Sequence, residues 1–282
     1  MHSQIVGAAT GVSINRKCRC AQKPPGFDPC LRAVHPPRVL TYCSGLGLKG
    51  VFFPATEEDQ DMRDTYREQL DDILVDLVHM SQAVSFAVRS STTALLEADI
   101  HLAEQVIGDD ELLDAKQADI EQRAFTLLAR QAPVAGELRI LVATLRMVAE
   151  LERMGDLAAH VAKIARLRYP ELAVPEALRA NFIRMGDVAE KMVVSAGQTL
   201  SDRNIQVAQE LHARDEEMDE LRRTQFRVLL SDDWPYGVET AVDVALLGRY
   251  YERIADHAAS MARRVIYVVT GEFPETAYWP QP

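Results

Sequence analysis

The sequence predicts an all-α protein built as two tandem three-helix bundles. One observation is an apolar period of 3.6 residues that runs from Met62 almost to the end of the chain. A second is the set of breaks, marked by Pro133, Pro170, Pro175 and Pro235 and by the capping residues Asp99 and Asn204, that cut this stretch into six segments of helical length. The third is an internal repeat: at a constant offset of 105, Met80 matches Met185, Leu95 matches Leu200, Ile100 matches Ile205 and Ala103 matches Ala208. Short connections between three helices make each repeat an up-down-up unit, and two such units pack side by side.

Leu70, Ile73, Leu74, Leu77, Met80, Val84, Val88 and Leu95 form the apolar stripe of the first helix, which ends near Glu97. Asp99 is placed to cap the second, whose stripe is Leu102, Val106, Leu112, Ile120, Phe125 and Leu128, and Pro133 breaks it. The third carries Leu138, Leu141, Leu145, Val148 and Leu151 to about Arg168. Tyr169 to Pro175, with a proline at each end, is a linker. Three more helices follow at about 176–201, 204–230 and 237–270, with Asn204 capping the second of them and Trp234-Pro235 separating it from the third. The expected organisation is therefore 62–170 as the first repeat, 171–270 as the second, and 271–282 as a loose tail.

Residues 1–61 differ from the rest. They contain six of the 13 prolines, six of the 14 glycines and all four cysteines, with no sustained period of two or 3.6 residues. The segment reads as a disordered extension, or as sequence upstream of a native start at Met62. Cys18, Cys20, Cys30, His35 and Cys43 lack the paired spacing of a zinc site. A cysteine-free remainder fits a reducing cytosol. No long uncharged apolar run is present that could span a membrane, and no signal peptide is recognisable.

Charge narrows the function further. Of the whole chain's 31 Lys and Arg and 42 Asp and Glu, residues 62–282 hold 24 and 37, a net charge of −13. Such a field repels phosphate backbones and argues against nucleic-acid binding, while attracting cations. The acids are also patterned. Glu152-Arg-Met-Gly-Asp156 recurs as Glu252-Arg-Ile-Ala-Asp256, with Glu and Asp four residues apart and so on one helix face. No cation at that spacing balances them. Asp110 and Asp114, matched at offset 105 by Asp215 and Asp219, form a second doubled pair.

A single acidic i, i+4 pair is ordinary on a solvated helix face. Repetition on two helices of each repeat is what points to ligation: four carboxylates per bundle suit a hard cation, Mg²⁺, Mn²⁺ or iron, singly or as a cluster. Crowded without a cation, they would repel one another and titrate high. Arg153 and Arg253 are candidates either for salt bridges to neighbouring acids or for plain solvent exposure, and His160 and His257 read as structural histidines. Glu-x-x-His, the di-iron signature, fails because Gly155 and Ala255 stand where His is needed. No nucleophile elbow, phosphate-binding Gly-rich loop or zinc-protease helix occurs. Metal-assisted hydrolysis by carboxylate-bound cations is the alternative enzymatic reading.

Gln131-Ala-Pro-Val-Ala-Gly-Glu-Leu-Arg139, Leu151-Glu-Arg-Met-Gly-Asp156 and Tyr251-Glu-Arg-Ile-Ala-Asp-His257 together resemble the PhoU family, and Met62-Arg-Asp-Thr-Tyr-Arg-Glu-Gln-Leu70 is similar to the start of its actinobacterial members. The resemblance covers about residues 62–270, with Glu137 where the family commonly has Asp. It implies a cytoplasmic, non-enzymatic negative regulator of the phosphate-starvation response and of high-affinity phosphate uptake. It further implies metal held through Glu152, Asp156, Glu252 and Asp256, with iron, zinc, manganese and magnesium as candidates. The implied partners are the ATPase of the phosphate ABC transporter and a phosphate-sensing histidine kinase. Homodimer formation and membrane contact only through partners are also implied.

Overall fold

The computed structural model describes residues 40–44, 47–51, 57–131, 133, 136–202 and 205–271. The chain divides into two compact units, Met1–Ala55 and Thr56–Pro282. In the first, β1 (Leu40–Ser44) and β2 (Gly47–Val51) pair as an antiparallel hairpin, with Cys43 opposite Leu48. This hairpin lies in the segment for which the sequence shows no regular period. Cys18, Cys20, Cys30 and His35 lie outside the described residues, as do Asn204 and the tail from 272 onward.

The second unit is all-α, as expected. Its helices are α1 (Glu57–Glu97), α2 (Ile100–Gln131), α3 (Gly136–Arg168), α4 (Glu176–Asp202), α5 (Ile205–Leu229) and α6 (Gly237–Thr270). The α1 helix begins ahead of Met62. Between α1 and α2 the chain reverses through Ala98, a left-handed residue with φ 51°. Asp99 then caps α2, its Oδ1 accepting the Leu102 N–H at 3.1 Å. Arg166 and Arg168 in the last turn of α3 complement the helix dipole. Gly271, at φ 83°, closes α6 by donating its N–H to the Tyr267 carbonyl at 2.9 Å.

The α1, α2 and α3 helices pack on one another; so do α4, α5 and α6, and the repeats meet where α1 lies on α4 and α3 on α6. One continuous apolar core runs through both. The α1 stripe is buried as expected at Leu70, Ile73, Leu77, Met80, Val84, Val88 and Leu95. In α2 the expected stripe is partly wrong: Leu112 and Phe125 face solvent, and the core positions are Ala103, Val106, Leu113, Ile120, Ala124 and Leu127. Leu138 in α3 is also exposed. The error arises because adjacent apolar residues such as Leu112 and Leu113 both fit a 3.6-residue period within its tolerance, and only the neighbouring helices decide between them.

The α1/α4 crossing shows how the repeat is built. A Cβ on Gly197 would lie 2.1 Å from Ser81 Oγ, and one on Gly186 would lie 2.5 Å from Thr92 Cγ2. Offset by 105, Ser81 corresponds to Gly186 and Thr92 to Gly197. The helices thus cross antiparallel, each small hydroxyl residue of α1 against the glycine that occupies its partner's equivalent position. Beside this crossing, the buried Tyr251 hydroxyl of α6 shares a hydrogen bond with Thr92 Oγ1 at 2.8 Å. The Asn181 amide of α4 donates to the Leu221 carbonyl of α5 at 3.2 Å.

Candidate metal centre

The α2 and α3 helices place the four acids of the first repeat on facing surfaces. Asp110 interacts electrostatically with Asp156 and Asp114, and Glu152 with Asp156 and Asp114. Burial, then repulsion from Asp156 and Asp114, pushes the Asp110 carboxyl above its ordinary range, against the pull of Lys163 and His160. Glu152 is raised as well, by burial first and then by Asp156, with which it shares a hydrogen bond. Arg153 is the nearest counter-ion, 3.6 Å from Glu152 and 3.3 Å from Asp156, but it lies mostly in solvent. It forms the salt bridges considered for it.

The second repeat brings Asp219 of α5 to Glu252 and Asp256 of α6. Burial, Glu252 and Asp219 all raise the Asp256 carboxyl. Asp256 remains exposed, so the like charges are the firmer cause. Asp215, one turn before Asp219, faces Arg263, whose guanidinium is itself driven below its usual range by burial. The expectation that no cation balances these acids is corrected here. Glu252 is paired with Arg222 of α5, and at 2.5 Å with Arg249, one turn earlier on α6. Counting back through the repeat, Arg222 matches Gln117 and Arg249 matches Ala149. The two centres therefore share their acids and differ in their internal cations.

Donor chemistry fits a hard cation in both repeats, since every candidate ligand is a carboxylate oxygen and three of the acids are raised by burial together with mutual repulsion. Among the described residues, however, no three His, Cys, Asp or Glu side chains are drawn together closely enough to hold an ion as they stand. The first centre has the lighter internal neutralisation, and so the stronger electrostatic demand for an ion.

The two histidines are satisfied within the fold, as the sequence reading expected. His160 Nδ1 bonds the Asp156 carbonyl at 2.7 Å and its ring lies 5.5 Å from that of Tyr250. His257 Nδ1 pairs with Glu150 at 2.7 Å. Glu150 was not singled out by sequence, yet it is the hub of the α3/α6 contact, accepting also from Ser260 at 3.0 Å and Arg264 at 2.8 Å. Those partners outweigh its burial and hold its carboxyl at about 2, down from the usual 4.5. Its signal was faint: an acid two residues from the repeated motif, at a position the second repeat does not duplicate. A further α3/α6 clamp joins Arg168 to the buried Asp243 at 2.5 Å and to Glu239 at 2.5 Å.

Comparison with known proteins agrees with this architecture. The PhoU domain profile matches residues 77–165 and 182–265, one match per repeat. The phosphate-specific transport system accessory protein PhoU homolog 1 of Mycobacterium leprae is 47% identical over 214 residues, 76% of this chain and 96% of that protein. Homolog 2 of Mycobacterium tuberculosis is 47% identical over 213 residues, covering 76% of this chain and all (100%) of the relative. Among solved structures, PhoU from Pseudomonas aeruginosa superposes with a TM-score of 0.68 at 28% identity, covering 73% of this chain and 100% of that one. With both repeats matched, and relatives this similar along nearly their whole length, the chain belongs to the PhoU domain family.

Proposed function

We propose that this protein is a negative regulator of the phosphate-starvation response and of high-affinity phosphate uptake. It acts as a metal-binding adaptor between the phosphate ABC transporter, through its ATPase, and a sensor histidine kinase. Membership of a family whose relatives are named accessory proteins of the phosphate-specific transport system supports the phosphate role. The observation that carries the adaptor reading is the convergence of Asp110, Asp114, Glu152 and Asp156 from two helices into one like-charged group.

A bound Mg²⁺, Mn²⁺, iron or zinc ion would neutralise that group and stiffen α2 against α3, making a defined surface for a partner. All-oxygen donors favour the harder ions of this set over zinc. No helix among the described residues is long and apolar enough to cross a membrane. The protein works in the cytoplasm as a homodimer and reaches the membrane through its partners. Regulation is by contact, without turnover.

The test replaces the native gene with one encoding Glu152→Ala and Glu252→Ala and reads a phosphate-starvation reporter in phosphate-replete cells. Derepression at unchanged protein level is the expected result. Full repression by the variant would overturn the reading.

A further inference from the structure

The cleft between α1 and α2 has a volume of about 430 Å³. Its floor is small and apolar, with Ala83, Ala87 and Gly155, and two large apolar side chains stand at its edge in solvent, Phe86 at 46% and Leu112 at 67% exposure. The internal repeat supplies a control within the same chain. At offset 105, Ala83 becomes Val188 and Ala87 becomes Met192, both buried. His79 and Leu112, on opposite walls, become Arg184 and Glu217, which meet at 2.6 Å and latch α4 to α5. Gly155 becomes Ala255, and a Cβ at Gly155 would lie 2.7 Å from Leu113 Cδ1. The same cleft is thus filled and bolted in one repeat, whereas in the other it is open between small side chains and its helices are tied only to one side, by Lys116 and Arg123 of α2 on Asp76 of α1.

Charge indicates what the open cleft receives. Asp109 and Asp110 line it, while its one lysine, Lys116, is already held by Asp76 at 2.5 Å. The surrounding helical body is strongly acidic. An apolar floor between two helices, with large apolar side chains exposed at its edge, matches the way an amphipathic helix lies in a groove with anchors at i, i+3 and i+4. We propose that the α1/α2 cleft docks an amphipathic helix of a partner protein, its apolar face seated against Phe86 and Leu112 and its Lys and Arg residues set against Asp109 and Asp110. The cleft shares Asp110 with the first carboxylate centre, but docking of the helix requires no bound ion.

Fluorescence anisotropy tests it on the full chain in EDTA at physiological salt. The probe is a labelled synthetic helix of Leu and Lys with its leucines on one face. Leu112→Glu and the cleft-filling pair Ala83→Val/Ala87→Met, which copies the second repeat, should each weaken binding about tenfold or more. Leu230→Glu, at an exposed leucine outside the cleft, should leave it unchanged, and a Leu/Glu probe should not bind. Retained binding in Leu112→Glu, or equal binding of the Leu/Glu probe, overturns the proposal. Sedimentation showing self-association that Leu112→Glu abolishes would also overturn it, by assigning the cleft to a second copy of this chain. If Ala83→Val/Ala87→Met unfolds, the surface substitution Leu112→Glu decides. Because chelator is present throughout, failure here leaves the cation-dependent function untouched, and the reverse holds equally.

Discussion

Arg222 of α5 pairs with Glu252 of α6, whereas Gln117, its counterpart in the first repeat, bonds Glu121 on its own helix at 3.2 Å. An arginine thus sits where a cation would otherwise be wanted, in one repeat only. Replacing Arg222 by Gln should raise the affinity of the second centre for Mn²⁺ on the order of tenfold, equivalent to about 1.4 kcal/mol. Isothermal titration of wild type and variant checks this. An unchanged isotherm would mean that Arg222 does not compete with the ion.

Cations and protons should act on the carboxylate centres in the same direction. Asp110, Glu152 and Asp256 titrate above their ordinary values in the folded protein. The native state therefore binds more protons than the unfolded chain between the ordinary and raised values, and these acids destabilise the fold as pH rises through that window. At pH 7 a divalent ion relieves the same repulsion. Thermal melts should show a gain of about 2.7 kcal/mol at a free concentration a hundredfold above Kd, shrinking as the pH falls into the acid range. A gain independent of pH would place the ion elsewhere.

Glu150 has the opposite sign. Its folded value of about 2 lies below the usual 4.5, so the stability it contributes is complete above pH 4.5 and is lost as pH falls towards 2. Glu150→Gln should cost about 2 kcal/mol at neutral pH, the scale of a hydrogen bond to a charged group. The wild-type advantage in urea should fade through that acid window. A penalty that persists unchanged at pH 2.5 would point to packing instead of charge.

The α1/α4 crossing makes a packing prediction. Gly197→Ala gains helix propensity of up to about 1 kcal/mol but sets a Cβ 2.1 Å from Ser81 Oγ, and such overpacking costs about 1–3 kcal/mol. The single variant should be destabilised, and adding Ser81→Gly should restore it. A double-mutant cycle in denaturant should give a coupling of at least about 1 kcal/mol; zero coupling would show that the helices slide apart to accept the methyl group.

Helix order and length were legible because apolar period, Asp99 and the prolines act locally. The carboxylate centres were legible because i, i+4 spacing fixes a face and the repeat doubled the pattern. Arg222 was not, since its partner Glu252 lies on another helix and only the α5/α6 packing joins them. Glu150 was hidden for the same reason, its partners being supplied by α6. The burial of Leu113 over Leu112 needed the third dimension too. The hairpin Leu40–Val51 has few residues, and the Cys43-to-Leu48 pairing leaves no long period to read.

Elemental analysis of protein purified without chelator, wild type beside a folded Glu152→Ala/Asp156→Ala/Glu252→Ala/Asp256→Ala variant, tests the central claim most directly. Stoichiometric metal in the wild type and its loss from the variant is the result this account predicts. Negligible metal in both, or equal metal in both, would contradict the assignment of the repeated carboxylates as ligands.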